Sequence, residues 1–269
     1  MRVRRRLQRA RLTKMRRPLG DIVSLTPTGF DTFLHCPRAF YLREVLGVPA
    51  SDAGPTNDQG LLVHDMLAHV HMTGSCHDTS HVAAVLDAHA VDSDIMRELV
   101  ARHAQRCPSA AAERAAHEHT LARFHRMPKP MFMATARIDA CWVHDGLLDA
   151  RDYKTGNLWH SRVCDVPAAR VQAFVLGRAA QRRGLRLRLR YEYLQPEIDD
   201  DPEPWEPDDD DLVAVEEELR DAVARMHGYD DWPGVGEADA CRTCRFRSIC
   251  RDSAAPGEPS WAVLTALES

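Results

Sequence analysis

Apolar positions along the chain follow two different periods, and the change from one to the other divides it. From Thr26 onward the spacing is helical. Thr26-Pro27 reads as a helix start, with Thr as N-cap and Pro at the first helical position. Phe30, Phe33 and Leu34 then share one face. Cys36 ends this helix, and Pro37 opens another through Phe40, Tyr41 and Leu42. Residues 51–58 read as a loop. A helix is predicted from Gly60 to His71, with Leu62, Met66 and Val70 at core spacing. Residues 81–125 are mostly Ala, Leu, His and charge without β-branched runs, and they predict two or three helices.

Beyond that point the texture alternates. Residues 131–143 predict a strand, His144-Asp145-Gly146 a turn, and 147–154 a second strand. An amphipathic helix follows over 167–182. A strictly alternating strand follows over 185–194, and a helix over 209–227 carries Leu212, Val215, Leu219, Ala222 and Met226 inward. There is no internal repeat.

The hairpin has a testable register. If Asp145 and Gly146 are its two central turn residues, 144 pairs with 147 and Asp139 falls opposite Asp152. Directly opposed residues have Cβ atoms about 4.5–5.5 Å apart. Two carboxylates that close are costly without a cation between them. Mg²⁺ or Mn²⁺, which prefer oxygen ligands, would fit. Lys154 lies on the same strand face as Asp152, because side chains alternate. His64 shares a helical face with Gly60, whose missing side chain lets another segment approach. The imidazole could then reach the same cation. Gln172 on the next helix offers a neutral amide to orient a water or hold a phosphate. Glu118 is a further candidate carboxylate.

Composition bounds these readings. The chain has 269 residues, 44% of them hydrophobic and 28% charged, which is ordinary for a globular protein. No apolar run is long enough to cross a membrane, and the basic start lacks the apolar core of a secretory signal. A cytoplasmic protein with reduced thiols is expected. The net charge of −5 conceals an asymmetry. Nine Lys or Arg lie within residues 2–17 and ten Asp or Glu within 197–211. The first run reads equally as a phosphate-binding arm, or as a disordered tail or a start placed ahead of Met15. The second reads as a solvated loop that repels nucleic acid. No G-x4-G-K-[ST] nucleotide motif occurs.

Four of the eight cysteines form a pattern: Cys36 alone, then Cys241, Cys244 and Cys250 as C-x2-C-x5-C. Four thiolates can hold a [4Fe–4S] cluster or tetrahedral zinc. Zinc sites usually come as two paired knuckles, so one plus three favours iron–sulfur, with Zn²⁺ the alternative. Cys76, Cys107, Cys141 and Cys164 lack this spacing and are read as buried fillers or exposed thiols.

Six stretches in this order resemble the PD-(D/E)XK nuclease superfamily, and within it the RecB-type nuclease domain in its iron–sulfur form. Relatives of that form include AddB-type nuclease subunits and CRISPR-adaptation nucleases. The stretches are Leu25-Thr26-Pro27-Thr28 to Cys36-Pro37; Gly60 to His64; Arg137-Ile138-Asp139; Asp152-Tyr153-Lys154-Thr155-Gly156; Gln172; and Cys241 to Cys250. The resemblance implies an α/β fold with a restriction-endonuclease-like core, a mixed central sheet with flanking helices. To this it adds a helical insertion over about 75–127, and N- and C-termini joined by an iron–sulfur cluster. The nuclease domain would span 19–252, between an arm at 1–18 and a tail at 253–269. The acidic loop lies at 197–211 and the cluster-binding segment at 238–252.

By the same resemblance, His64, Asp139, Asp152 and the backbone carbonyl of Tyr153 bind the divalent metal. Lys154 acts on the attacking water or the phosphate, with Gln172 in the catalytic set. Cys36, Cys241, Cys244 and Cys250 ligate the cluster. The implied activity is Mg²⁺- or Mn²⁺-dependent hydrolysis of DNA, as an exonuclease in repair or recombination. DNA and a helicase or repair-complex partner are then expected. The alternative is a non-catalytic iron–sulfur nucleic-acid-binding module, or a subunit that needs its partner. The family often has a tyrosine four residues after the glutamine, where this chain has Leu176.

Overall fold

The computed structural model describes residues 19–48, 55–89, 94–108, 114–125, 129–156, 160–195, 197–247, 250 and 252–254, with the side chains of 55–59, 114–122 and 124 outside that description. The basic arm, most of the C-terminal tail and the side chain of Glu118 therefore lie outside the described residues. The chain forms two compact units: residues 1–53, 124–133 and 218–269, and residues 54–123 and 134–217.

The first unit contains strand β1 (Ile22–Leu25) and helix α1 (Pro27–His35). Thr26 caps α1 as its sequence predicts: its Oγ1 accepts the Gly29 N–H at 2.9 Å, and Pro27 fills the first position, where an N–H would go unpaired. Cys36 is extended and ends α1, and Pro37 starts the short helix α2 (Pro37–Phe40), which continues as a π turn over Tyr41–Val45. Trp232 stacks on Tyr41 and Phe40 at centroid distances of 5.2 and 5.8 Å. The Arg38 N–H donates to the Pro233 carbonyl at 3.0 Å, and its guanidinium lies 3.4 Å from Asp231 and 3.6 Å from Asp252. These contacts tie the first two helices to the segment leading into α8 (Ala238–Thr243).

The second unit is a mixed sheet flanked by helices. Strands β3 (Met131–His144) and β4 (Leu147–Lys154) form an antiparallel hairpin. Asp145 (φ 49°) and Gly146 (φ 70°) both take the left-handed conformation that a two-residue hairpin turn needs, which Asp and Gly tolerate best. The register runs from His144↔Leu147 to Ala140↔Arg151, as the turn dictates. Strand β5 (Arg186–Tyr193) lies parallel to β4, reached through helix α6 (Pro167–Gln181). Strand β2 (Arg114–His125) pairs with β3.

Helices α3 (Pro55–Thr73), α4 (Thr79–Ala88) and α5 (Asp94–Arg106) bury Val63, Met66, Val70, Leu86 and Leu99 in one core with Trp142 and Tyr153 of the hairpin. Helix α7 (Asp209–His227) has the limits its apolar spacing predicts.

Two expectations are corrected. Residues 114–125 were expected to be helical, and they form β2. Their composition favours a helix, but β3 is 14 residues long and offers an edge with which they pair. Ladder hydrogen bonds to that edge outweigh a weak local propensity. The acidic segment is also more than a solvated loop. Trp205 exchanges backbone hydrogen bonds with Leu189 of β5, at 2.8 and 3.0 Å. Glu206 accepts from Arg186 at 2.9 Å and Arg188 at 2.6 Å, and Asp201 accepts from Arg106 at 2.9 Å. The alternating arginines of β5 pull the acidic chain onto the sheet. Asp209, Asp210 and Asp211 then occupy the first turn of α7, where the helix dipole favours negative charge.

Candidate active site

Strand alternation decides which way the Asp152-Tyr153-Lys154 segment faces. The Tyr153 ring turns into the apolar core, 3% exposed, while Asp152 and Lys154 share the other face. Asp139 stands one step beyond Ala140↔Arg151 of the hairpin ladder. There its side chain replaces a backbone partner: Oδ2 accepts the Tyr153 N–H at 2.7 Å. Its other oxygen, Oδ1, lies 2.9 Å from Nδ1 of His64.

His64 reaches the hairpin because α3 passes close to it. A Cβ built on Gly60 would stand 2.9 Å from Oγ1 of Thr155, so only glycine admits this approach without adjustment. Both Asp152 oxygens are held. Lys154 Nζ donates to Oδ1 at 2.7 Å, and Gln172 Nε2 donates to Oδ2 at 2.8 Å. The parallel β4–β5 register sets Tyr191 beside Asp152. From there Tyr191 hydroxyl donates to Gln172 Oε1 at 3.3 Å, and its ring lies 4.4 Å beneath Lys154 Nζ. Tyr191 is a residue that sequence reasoning missed. Its only signal was a place in the alternating strand.

The electrostatics follow from this geometry. Burial raises the Asp139 carboxyl above its usual range, opposed by the His64 hydrogen bond and reinforced by the charge on Asp152. For Asp152 burial acts in the same direction, but the Lys154 charge and the hydrogen bonds from Lys154 and Gln172 outweigh it, so its carboxyl is lowered. Burial would lower Lys154; the neighbouring Asp152 carboxylate more than offsets this and raises it. An ionised lysine thus sits beside two carboxylates that repel each other. Two carboxylates and an imidazole make a donor set suited to a hard divalent cation. Each of these carboxylate oxygens keeps a second lone pair, which such a cation would use.

Cys36, Cys241, Cys244 and Cys250 belong to the first unit. Cys36 at the end of α1, Cys241 on α8, Cys244 at its end and Cys250 beyond it line one cavity with Leu42 and Phe246. Burial pushes the Cys244 and Cys250 thiols up, and the nearby Cys36 adds to the rise. Thiols crowded this way ionise readily only when a cation shares them. The donor set therefore fits a thiolate-bound metal or cluster. Cys141 and Cys164 are partly buried and Cys76 and Cys107 buried.

A polar network behind the hairpin was also missed. Glu192 of β5 is 1% exposed, and accepts from His103 Nδ1 at 2.7 Å and Arg151 Nη1 at 2.9 Å. Alternation along β5 puts Glu192 on the face of Arg186, Arg188 and Arg190, and its charge also argues against burial.

The PD-(D/E)XK nuclease superfamily model matches residues 24–251. No curated protein matches the sequence. Among solved structures, the protein SSO0001 is similar over 96% of this chain and 98% of its own, with 13% identity and a TM-score of 0.40. A protein of Eubacterium rectale, provisionally described as an exonuclease, is similar over 82% of this chain and 87% of its own, with 13% identity and a TM-score of 0.48. Among the described residues, no helix is long and apolar enough to cross a membrane.

Proposed function

The chain belongs to the PD-(D/E)XK nuclease superfamily, and from that premise we propose that it is a metal-dependent deoxyribonuclease of the RecB type. In this reading it degrades DNA as an exonuclease in repair or recombination, alone or beside a helicase partner. The observation that carries the proposal is the convergence of His64, Asp139, Asp152, Lys154 and Gln172 on one face of the hairpin end.

Each residue has a part in hydrolysis. His64, Asp139, Asp152 and the Tyr153 carbonyl hold Mg²⁺ or Mn²⁺. The bound ion supplies a Lewis acid, which lowers the pKa of water and offsets charge on the phosphoryl oxygens. Asp139 is fixed for this by the Tyr153 N–H, and Asp152 by Gln172. Lys154 stays protonated beside Asp152. It directs its ammonium at the scissile phosphate, where negative charge grows in the transition state. Gln172, itself steadied by Tyr191, keeps the Asp152 carboxylate oriented.

The cysteine cavity completes the proposal. Cys36, Cys241, Cys244 and Cys250 ligate a [4Fe–4S] cluster that pins α1 and α2 to the C-terminal segment. Its role is structural, since it lies outside the set of residues assigned to phosphate chemistry.

The test is cleavage of end-labelled single- and double-stranded DNA with Mg²⁺ or Mn²⁺, using anaerobically purified protein beside Lys154→Ala. Metal-dependent cleavage that the variant loses supports the nuclease, and the product ladder gives mode and polarity. A brown, folded protein that cleaves nothing overturns the free-standing enzyme, leaving a binding module or a partner-dependent subunit.

A further inference from the structure

A second group of metal-binding side chains lies in the core of the second unit. His71, Cys76, His103 and Cys107 each offer one ligand atom, and these four atoms all lie within 4.8 Å of one another. Tetrahedral zinc holds nitrogen at about 2.0–2.1 Å and sulfur at about 2.3 Å, so its ligand atoms stand roughly 3.3–3.8 Å apart. Cys107 Sγ is 3.8 Å from His71 Nε2, and the His71 and His103 Nε2 atoms are 2.8 Å apart. Opening the histidine pair by about 0.5 Å would seat the ion at those bond lengths.

The chain builds the group from two similar halves. His71 lies in the last turn of α3, and Cys76 follows in the turn after it. His103 lies in the last turn of α5, and Cys107 is the first residue past its end. The spacings H-x4-C and H-x3-C are those of paired metal knuckles. Both halves sit at helix C-termini, where the dipole favours a cation. The same ends would oppose two thiolates without one.

The outer partners point the same way. Glu192 accepts the His103 Nδ1–H at 2.7 Å, and Arg151 holds the Glu192 carboxylate at 2.9 Å. A carboxylate behind one ring nitrogen fixes the tautomer that turns the other toward a metal, and raises its basicity. His103 is 0% exposed, and the apolar shell around the group includes Val70, Val85, Val100 and Trp142. Cys76, His103 and Cys107 are buried and His71 is half-buried, which suits a closed structural zinc site.

We propose that His71, Cys76, His103 and Cys107 form a structural zinc site that joins the ends of α3 and α5 beneath the hairpin. Its ion is distinct from the divalent metal of the carboxylate site and from any cluster on the other four cysteines. A hydrogen-bonded group is the competing arrangement, in which one imidazole N–H bridges the Nε2 atoms of His71 and His103, 2.8 Å apart, and the thiols supply only weak sulfur donors. The site has a consequence for the hairpin. The His103 ring packs edge-on against Tyr153 at 5.0 Å, so the ion would stiffen the wall behind the Asp152-Tyr153-Lys154 strand.

The test uses the full chain, reduced, exposed to zinc sulfate and desalted. Zinc is counted by plasma mass spectrometry, and its shell is read by X-ray absorption at the zinc edge. The wild type is expected to hold one zinc with two sulfur and two nitrogen neighbours. Cys76→Ala/Cys107→Ala should lose that zinc, while Cys36→Ala/Cys244→Ala should keep it. A second, all-sulfur zinc lost only from the latter variant leaves the proposal standing. If Cys76→Ala/Cys107→Ala does not fold, His71→Cys keeps the ion and should raise the sulfur count from two to three. A folded wild type without zinc, or one whose only zinc has an all-sulfur shell, overturns the proposal. So does a shell unchanged in His71→Cys. None of these readouts depends on DNA cleavage.

Discussion

The backbone N–H of Tyr153 donates to Oδ2 of Asp139 at 2.7 Å. One bond thereby joins the hairpin's geometry to its chemistry: the carboxylate closes the ladder where β3 and β4 part, and its free oxygen faces His64. Asp139→Ala should therefore remove a proposed metal ligand and leave a buried N–H unpaired. Loss of stability of about 1–3 kcal/mol is expected, read by urea denaturation, together with loss of cleavage. Asp139→Asn retains an acceptor for Tyr153 and should recover stability but not cleavage.

Lys154→Ala removes the ammonium proposed to meet the charge that develops on the phosphate. A fall in kcat of about 10²–10³-fold is expected, with an unchanged far-ultraviolet circular dichroism spectrum. Retention of full activity would refute the role given to Lys154.

Gln172 and Tyr191 should differ in weight. Gln172 bonds a carboxylate directly, at 2.8 Å, whereas the Tyr191 hydroxyl reaches that carboxylate through Gln172, at 3.3 Å. A hydrogen bond to a charged group contributes about 1.5–3 kcal/mol and a neutral one about 0.5–1.5 kcal/mol. Gln172→Leu should lower cleavage roughly 10- to 100-fold and Tyr191→Phe by no more than about tenfold. Initial rates at saturating Mn²⁺ give the comparison.

Gly60→Ala would normally stabilise a helix interior by about 1 kcal/mol. Here the added Cβ would stand 2.9 Å from Oγ1 of Thr155. The substitution should bring no gain by itself, and the gain should return in a Thr155→Ala background. A double-mutant cycle by denaturant unfolding, with coupling above about 0.5 kcal/mol, would establish the contact.

Glu192→Gln should cost about 1–3 kcal/mol, because it removes the charge from the hydrogen bonds of His103 and Arg151 while Asp149, 3.2 Å from Arg151, still pairs the guanidinium. Chemical denaturation measures it. An effect below about 1 kcal/mol, the usual worth of an exposed pair, would show that Asp149 alone satisfies Arg151.

Much of this was legible in the chain because it is local. Thr26-Pro27 can cap only by its own hydroxyl and ring, and Asp145-Gly146 sets a turn that fixes the register of every pair behind it. From that register Asp139 and Asp152 come together without knowledge of the rest of the fold. Strand β2 was not legible. Its identity depends on the edge of β3, a partner that local composition does not report.

Local rules set the hairpin, the limits of α7 and the polar residues at the hairpin end, since capping, turn conformation and side-chain period act over a few residues. It took the packing of whole elements to place Tyr191 and Gln172 against Asp152, and the acidic segment on the arginines of β5. That packing alone gathered His71, Cys76, His103 and Cys107, from the ends of two helices, into one core. Such groupings arise when the chain buries its apolar faces. Burial is non-directional, so which polar groups it carries inward together depends on how whole elements pack, beyond the reach of any short stretch of sequence.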